Sequence, residues 1–564
     1  MNLTNQQLFS TTVSHPAFEF VSQHSIESTQ IVVQQFQHKI TGAIHYHFVA
    51  NHLESAFLVA FRTQPMDSKG VAHILEHTVL CGSLNFPVRD PFFAMMQRSL
   101  NTYMNALTSS DWTAFPFATE NNKDFKNLLA VYLDAIFSPC INPLDFAQEG
   151  IRVELDNNNK PTFKGVVFNE MKGALSSPSR QLYHRILAYL YSETTYHYNS
   201  GGEPLEITEL KHNELIDFYK KHYHPSNAIF MTFGKQSVFD LHEQFENLAL
   251  KKFNRGETLF SIPEPRLAQP KQQIESYAID DDDLSNKTYL ALSWLLPTTD
   301  DIELWFGFRI MSGILLQDSA SPLQYFLQTC NYAVSPGPLL GLNDQNYEMT
   351  FHCSVQGANP ENSEQFLIDV INVLSDIASK PIDLKAVDAL LHQIELEQRE
   401  ISSDMPYGLK LFFKGLSRAI HHHDPIQVWD IDHVIDQVKK KIKDDPLWIS
   451  NLIQIYLLDN SHRVLLTFIP DAEKSTQMRQ AEQDKLDKIE AALTDKDYKN
   501  LLQQARLLKQ HQEREDDYDI LPKITIADIR SEIQFPQFEI GSIEIAGEKQ
   551  HLHMYPTGTN GLLY

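Results

Sequence analysis

The densest group of chemically capable side chains lies in Asp67-Ser68-Lys69-Gly70-Val71-Ala72-His73-Ile74-Leu75-Glu76-His77-Thr78-Val79-Leu80-Cys81-Gly82-Ser83. Inside it stands His73-x-x-Glu76-His77. Residues four apart on a helix lie on one face, about one turn apart. The imidazoles of His73 and His77 can therefore share one metal ion. Glu76, three residues after His73, projects from the same side and can reach a water held by that ion. The chemistry on offer is metal-assisted hydrolysis, with a carboxylate that takes and returns a proton. Asp67 or Ser68 is suited to cap the start of this helix, and Gly82 to end it.

The order H-x-x-E-H is that of the inverted zinc peptidases. With 24 His in 564 residues, chance supplies about 0.06 such matches, so the pattern competes well with the bland alternative of a solvated amphipathic helix. A catalytic zinc takes three protein ligands and keeps a fourth position for water. Cys81 is four residues beyond His77, but it stands about 12 Å along the helix axis from His73. One ion cannot bridge that, so Cys81 reads as a packing residue and the third ligand must come from elsewhere. Other clusters read more simply. His421-His422-His423 suits a solvated helix end. His45 and His47 alternate in a strand and face one way, without a neighbouring carboxylate motif. No Gly-rich phosphate loop, nucleophile elbow or CxxC occurs.

The elements that must position this chemistry are of mixed type. GAIHYHFVAN and SAFLVAFRT read as strands, KDFKNLLAVYLDAIF and ELIDFYKKHYH as helices. A Pro-rich passage, SIPEPRLAQPKQQ, breaks the pattern. The alternation then restarts with the strand KTYLALSWLL, the helix ENSEQFLIDVINVLSDIA and the strand RVLLTFIP. This predicts an α+β chain: a first domain over 1–265, a second of similar type over 272–471, a helical hairpin over 472–523 and the truncated start of a third domain over 524–564. The hairpin turns at Thr494-Asp495-Lys496-Asp497, which suits a stop and a new N-cap.

Length and composition fit several globular domains. The balance of 47 Lys+Arg against 72 Asp+Glu, net −25, argues against nucleic acid or an anionic membrane as partner. No apolar run approaches the ~18 residues of a membrane span. MNLTNQQLFSTTVSHPAFEF has neither a basic-then-apolar leader nor an arginine. Cys81, Cys140, Cys330 and Cys353 are too few for a disulfide scaffold. These features lead to the expectation of a cytoplasmic protein.

GVAHILEHTVLCGS, followed by FKGVVFNEMKGALS, resembles the pitrilysin/insulinase family of metallopeptidases, and within it the presequence protease branch that includes falcilysin. LNTYMNALTSSDWTAFPFAT, YLDAIFSPC, NSGGEP and YHPSNA agree in order and spacing, and so does the helical hairpin, so that the resemblance spans essentially the whole chain. It implies two homologous α/β-roll domains of the LuxS/metalloenzyme-like type, only the first catalytic. It also implies one Zn²⁺ per chain, held by His73, His77 and Glu170, with Glu76 as general base and then general acid. On local sequence, KGVVF reads as a short strand and NEMKGALS as the start of the helix that presents Glu170. The segment Asn101–Thr108 resembles the sheet edge that receives a peptide as an added strand, and Asn105 and Ala106 are its candidate substrate-binding residues. The implied substrates are short, unstructured peptides. The family's architecture further implies that this is an N-terminal fragment, which needs a missing C-terminal half of the same enzyme for full activity. The alternative is a non-catalytic zinc-binding or assembly subunit of the same superfamily, which would not need the complete set of His73, Glu76, His77 and Glu170. A purely structural zinc site would need a fourth protein ligand, and none is evident.

Overall fold

The computed structural model describes residues 15–401, 404–532, 535, 538–555 and 560. Its first sheet is built from β1 (Phe18–Ile26), β2 (Ile31–His38), β3 (Ile44–Val49), β4 (Ser55–Arg62), β5 (Asn101–Met104), β6 (Leu107–Thr108) and β7 (Trp112–Thr119). A separate ribbon of β8 (Arg152–Leu155) and β9 (Pro161–Lys164) precedes its last strand, β10 (Ala228–Gly234). The order is β1-β2-β3-β10-β4-β7-β5, with β6 paired to β7. Every residue of β4 is buried, as a strand covered on both faces requires. Its alternation sorts side chains by size. Phe57, Val59 and Phe61 meet the helices of the first unit, among them Asn122–Phe137. Ala56, Leu58 and Ala60 face the other way, into a core shared with the second unit.

The second sheet comprises β11 (Lys271–Ala278), β12 (Thr288–Thr298), β13 (Ser335–Pro336), β14 (Gly341–Asn343), β15 (Glu348–Ala358) and β16 (Arg463–Asp471). Its order is β11-β16-β12-β15-β13, with β14 on β15. Helix Tyr407–Ile420 leaves this unit and lies against the small-residue face of the first sheet. The approach is close: a Cβ at Gly408 would come within 2.7 Å of the Phe233 ring. At the helix C-terminus, Arg62 donates to the carbonyls of Ala419 and Ile420 and also to that of Asn227. The guanidinium thus satisfies orphan carbonyls at the negative end of the helix.

The three histidines that follow are not a solvated end. His421 is buried and donates from Nε2 to Asp111 Oδ2 at 2.6 Å, an oxygen that also accepts from Tyr196 Oη at 2.6 Å. His422 bonds the Leu259 carbonyl, and His423 bonds Thr299. This helix end lies in the seam between the two sheets, which the polarity of one segment does not report.

Helices Lys474–Ala492 and Asp495–Gln512 form the hairpin, and Thr494 and Asp497 cap the second reciprocally. The hairpin folds back on the first unit through Lys485 with Glu209, and His511 with Asp145, each at 2.6 Å. Beyond it β17 (Glu539–Ile545) and β18 (Glu548–Met554) make an exposed two-stranded ribbon. Residues 556–559 and 561–564 of the expected third-domain start, and 1–14 of the first domain, lie outside the described residues. Among the described residues no helix is long and apolar enough to cross a membrane.

β3 places His45 and His47 in the interior, where both share hydrogen bonds with Thr232 Oγ1, at 2.8 and 2.7 Å, and His45 meets His242 at 2.9 Å. Burial lowers His47 to about 4 and His242 to about 3, from 6.5. Below pH 6.5 the unfolded chain takes up protons that these rings refuse. Their contribution is therefore complete above 6.5 and is lost as pH falls towards 4. The thermal unfolding midpoint should drop by several degrees between pH 7 and pH 5. His47→Asn, which cannot take a proton there, should flatten that slope in melts followed by circular dichroism.

Candidate metal centre

The helix Val71–Val79 carries His73, Glu76 and His77. Neither Asp67 nor Ser68 caps it. Its N-cap is Gly70, at φ +70° and without a side-chain hydrogen bond. The reason is a close crossing with the loop Asn199-Ser200-Gly201-Gly202: a Cβ at Gly70 would stand 2.9 Å from the Gly201 oxygen and 3.1 Å from Gly202 Cα. Ser68 is used in that crossing, where its Oγ accepts from Asn199 N. The same loop turns the Gly201 carbonyl onto His73, which donates to it from Nδ1 at 3.3 Å.

His77 is fixed by a different element. Its Nδ1 donates to Glu149 Oε2 at 3.1 Å. Glu149 ends the short helix Pro143–Glu149, which the Asn142 side chain caps. Gln148 donates to the other carboxylate oxygen at 2.8 Å. Burial alone would raise Glu149, but the bonds from His77 and Gln148 outweigh it and hold the group below the usual carboxylate range. Burial would lower His77, but the bond to Glu149 and the charges of Glu76, Glu149 and Glu170 hold it above its ordinary value.

Glu170 belongs to the helix Val166–Ala174. That helix starts one turn before the expected position, so Val166, Val167 and Phe168 are helical and not strand. The strand β9 stops at Lys164 because Gly165 presses on Gly150, where a Cβ would collide with the Gly150 carbonyl oxygen. This contact joins the end of the Glu149 helix to the start of the Glu170 helix. It brings Glu170 Oε2 to 3.8 Å from His73 Nε2 and 3.9 Å from His77 Nε2.

One atom each from His73, His77 and Glu170 lies within 4.8 Å of the others, the only such trio of His, Cys, Asp or Glu among the described residues. Both imidazoles use Nδ1 for hydrogen bonds, which leaves the Nε2 lone pairs directed at the shared space. Two neutral nitrogens and one carboxylate are a donor set that zinc accepts, and a small contraction would reach the spacing of about 3.4 Å that tetrahedral ligation at ~2.1 Å asks for. The residues fit the ion.

Glu76 is buried beside this trio and accepts from Thr108 Oγ1 at 2.6 Å. Burial raises its pKa, against the pull of Thr108, His73 and His77. Cys81 lies outside the trio, with its thiol directed at the His77 carbonyl, and burial pushes its pKa well up. Asn105 and Ala106 make the bend between β5 and β6, and β5 is the outermost strand of its sheet. There Asn105 Oδ1 accepts from Ala106 N at 2.9 Å. Thus, of the Asn101–Thr108 segment, it is Thr108 that touches the HxxEH helix. Thr108, Glu149 and Gly201 complete the site, and spacing along the chain gave no signal for any of them as partners of that helix.

Comparison with known proteins follows this geometry. Residues 61–175 match the family model described as Insulinase (Peptidase family M16), and 209–394 that of Peptidase M16 inactive domain. Residues 468–564 match a model described as associated with subfamily C of the same peptidases. The chain is similar to the mitochondrial presequence protease of Xenopus laevis, 36% identical over 539 residues, with 94% of this chain and 52% of that protein covered. It is likewise similar to presequence protease 1, chloroplastic/mitochondrial, of Arabidopsis thaliana, at 35% over 543 residues, 93% of this chain and 50% of that protein. The chain spans about half the length of these curated relatives. A solved protease from Helicobacter pylori shares the fold, with a TM-score of 0.60 at 17% identity, over 78% of this chain and 99% of that one.

The relatives overturn the expectation of a cytoplasmic protein, because their names place them in mitochondria or chloroplasts. Composition of a folded domain does not report the compartment, since a targeting leader is a separable address.

Glu149 gives a test of the centre that leaves the three candidate ligands in place. Glu149→Ala frees the His77 ring to rotate and to change tautomer, and should weaken Zn²⁺ binding about 10- to 100-fold, measured by competition with a fluorescent chelator.

Proposed function

The chain belongs to the insulinase (M16) family of peptidases, and from that premise we propose that it is the zinc-binding part of a metallo-endopeptidase that cuts short, unstructured peptides. The observation that carries this reading is the convergence of His73 Nε2, His77 Nε2 and Glu170 Oε2 beside a buried carboxylate, Glu76. His73, His77 and Glu170 would hold one Zn²⁺, leaving the centre a net charge near +1. Bound zinc supplies a Lewis acid that polarises a carbonyl and makes a water more acidic.

Glu76 then has two tasks. Its carboxylate accepts a proton from the attacking water, and afterwards delivers it to the leaving amine. Burial raises its pKa, which favours both halves of that exchange near neutral pH. The Thr108 hydroxyl holds one carboxylate oxygen and leaves the other for the proton. The outer edge at β5 and β6 offers main-chain groups to an extended peptide, with Asn105 and Ala106 at the bend. Pairing through backbone suits a substrate without fixed structure and excludes folded chains.

The division of labour follows from the motif. Residues 1–265 act as the catalytic domain, 272–471 as a companion without an HxxEH of its own, and 472–523 as a connecting hairpin. The curated relatives are about twice as long, and we assign to a further half of the same enzyme, beginning near 524, the opposite wall of the substrate chamber. Positioning and transition-state contacts from that half would be worth about 10² to 10³ in rate. Supplied in cis or as a separate polypeptide, it should raise turnover by that order.

The decisive substitution is Glu76→Gln. It should keep bound zinc, because Glu76 is not among the three ligands, while hydrolysis of a quenched unstructured peptide falls by roughly two to four orders of magnitude. Metal content and kinetics are read on one sample. Near-normal turnover would remove Glu76 as the base, and activity that survives chelation would remove the metal.

A further inference from the structure

The second unit contains a charged cleft far from any motif. A cavity of about 230 Å³ is lined by Arg309, Ile394, Glu397, Lys410 and Lys414, among others. It adjoins a second of about 540 Å³ that shares Arg309, Ile394, Glu397 and Lys414. The walls are three helices, Ile302–Leu316, Leu384–Arg399 and Tyr407–Ile420. They pack tightly enough that a Cβ at Gly313 would come within 2.5 Å of Leu390.

Two cations face this space without an acid in contact. Among the described residues, neither Lys414 nor Arg309 makes a salt bridge or a side-chain hydrogen bond. Arg309 is held by stacking, its guanidinium 5.0 Å from the centre of the Trp305 ring. Trp305 is itself pinned by donation to Asp344 at 2.9 Å. The fork is therefore oriented while its N–H groups stay open, which is the state that receives a planar or tetrahedral oxyanion. Lys414 is sunk between the helices. Burial, with Arg309 and Lys410 adding to it and Asp432 and Glu397 opposing it, lowers its pKa to about 7. A lysine so placed costs stability unless something compensates its charge. In a chain of net charge −25, an inward-facing pair of unmatched cations is not a general surface property.

We propose that this cleft is a binding site for a small multivalent anion, carrying phosphate or carboxylate groups, that bridges Lys414 and Arg309. The volume exceeds what a single inorganic ion fills, so the ligand carries at least two anionic groups, with Ser312, Gln317 and Gln393 along the larger cavity to bond its remaining oxygens. The site is independent of zinc, and its occupancy tightens the contact between the helices of the second unit.

The test uses the full chain, with pyrophosphate and citrate as the two probes and sodium chloride at matched ionic strength as control. At least one probe should raise the unfolding temperature saturably, with half-effect below about 1 mM, while chloride does not. Which probe does so identifies phosphate or carboxylate as the recognised group. Lys414→Met and Arg309→Met should each weaken that binding about tenfold or more. Lys414→Met alone should unfold at a higher temperature than the parent in the absence of anion, because it removes the uncompensated charge. Binding at pH 8 should also draw a proton onto Lys414, read by calorimetry in two buffers as a difference between the parent and Lys414→Met. Two results overturn the proposal: no saturable effect of either probe up to about 10 mM, or the same effect in both variants.

Discussion

Everything at the candidate centre depends on two imidazole rings being held by their far nitrogens. A histidine that is free to spin offers either nitrogen, and a trio of donors then has no common focus. Here the Nδ1 groups of His73 and His77 are occupied by the Gly201 carbonyl and the Glu149 carboxylate. Each of those acceptors is supplied by a glycine contact. Gly70 lets the Gly201 loop cross at backbone distance, and Gly165 lets the Glu170 helix start against the end of the Glu149 helix. The centre is thus built by three short elements that meet where side chains are missing.

The general base is tied to a wider frame. Thr108, which bonds Glu76, lies in the short β6 strand, and the turn after it ends at Asp111. Asp111 in turn accepts from Tyr196 and from His421 of the second unit, while its backbone oxygen accepts from Thr63. At the end of β4, next to Thr63, Arg62 closes the helix that delivers His421. The second unit, which has no HxxEH motif, therefore reaches by a few bonds the carboxylate that would move the proton.

What could be read in the sequence follows from the range of the interaction. The four-residue spacing of His73 and His77 is a property of one helix, and the Thr494–Asp497 cap is a property of one turn; both were legible. The all-apolar run of β4 was legible as a strand because burial on both faces leaves no polar alternation. The start of the Glu170 helix was misread, since β-branched Val166 and Val167 look like strand until the collision at Gly165 is known. Glu149 is 72 residues from His77, and nothing local distinguishes it from other glutamates. His421 looked solvated for the same reason: its partners Asp111 and Tyr196 are 310 and 225 positions away.

The size-sorted first sheet has a practical corollary. Its alanine-rich face, with Ala56, Ala60, Ala114 and Ala118, is covered by the second unit and buried in a core common to both. The Pro-rich passage before β11 is a break in the chain, but the packed interior runs across it. Cut there, the catalytic part would present water with an apolar sheet face and with an arginine, Arg62, whose acceptors had left. The motif can be copied on its own in a sequence, but its fold is not a portable module, and the smallest unit that folds must include the helix Tyr407–Ile420.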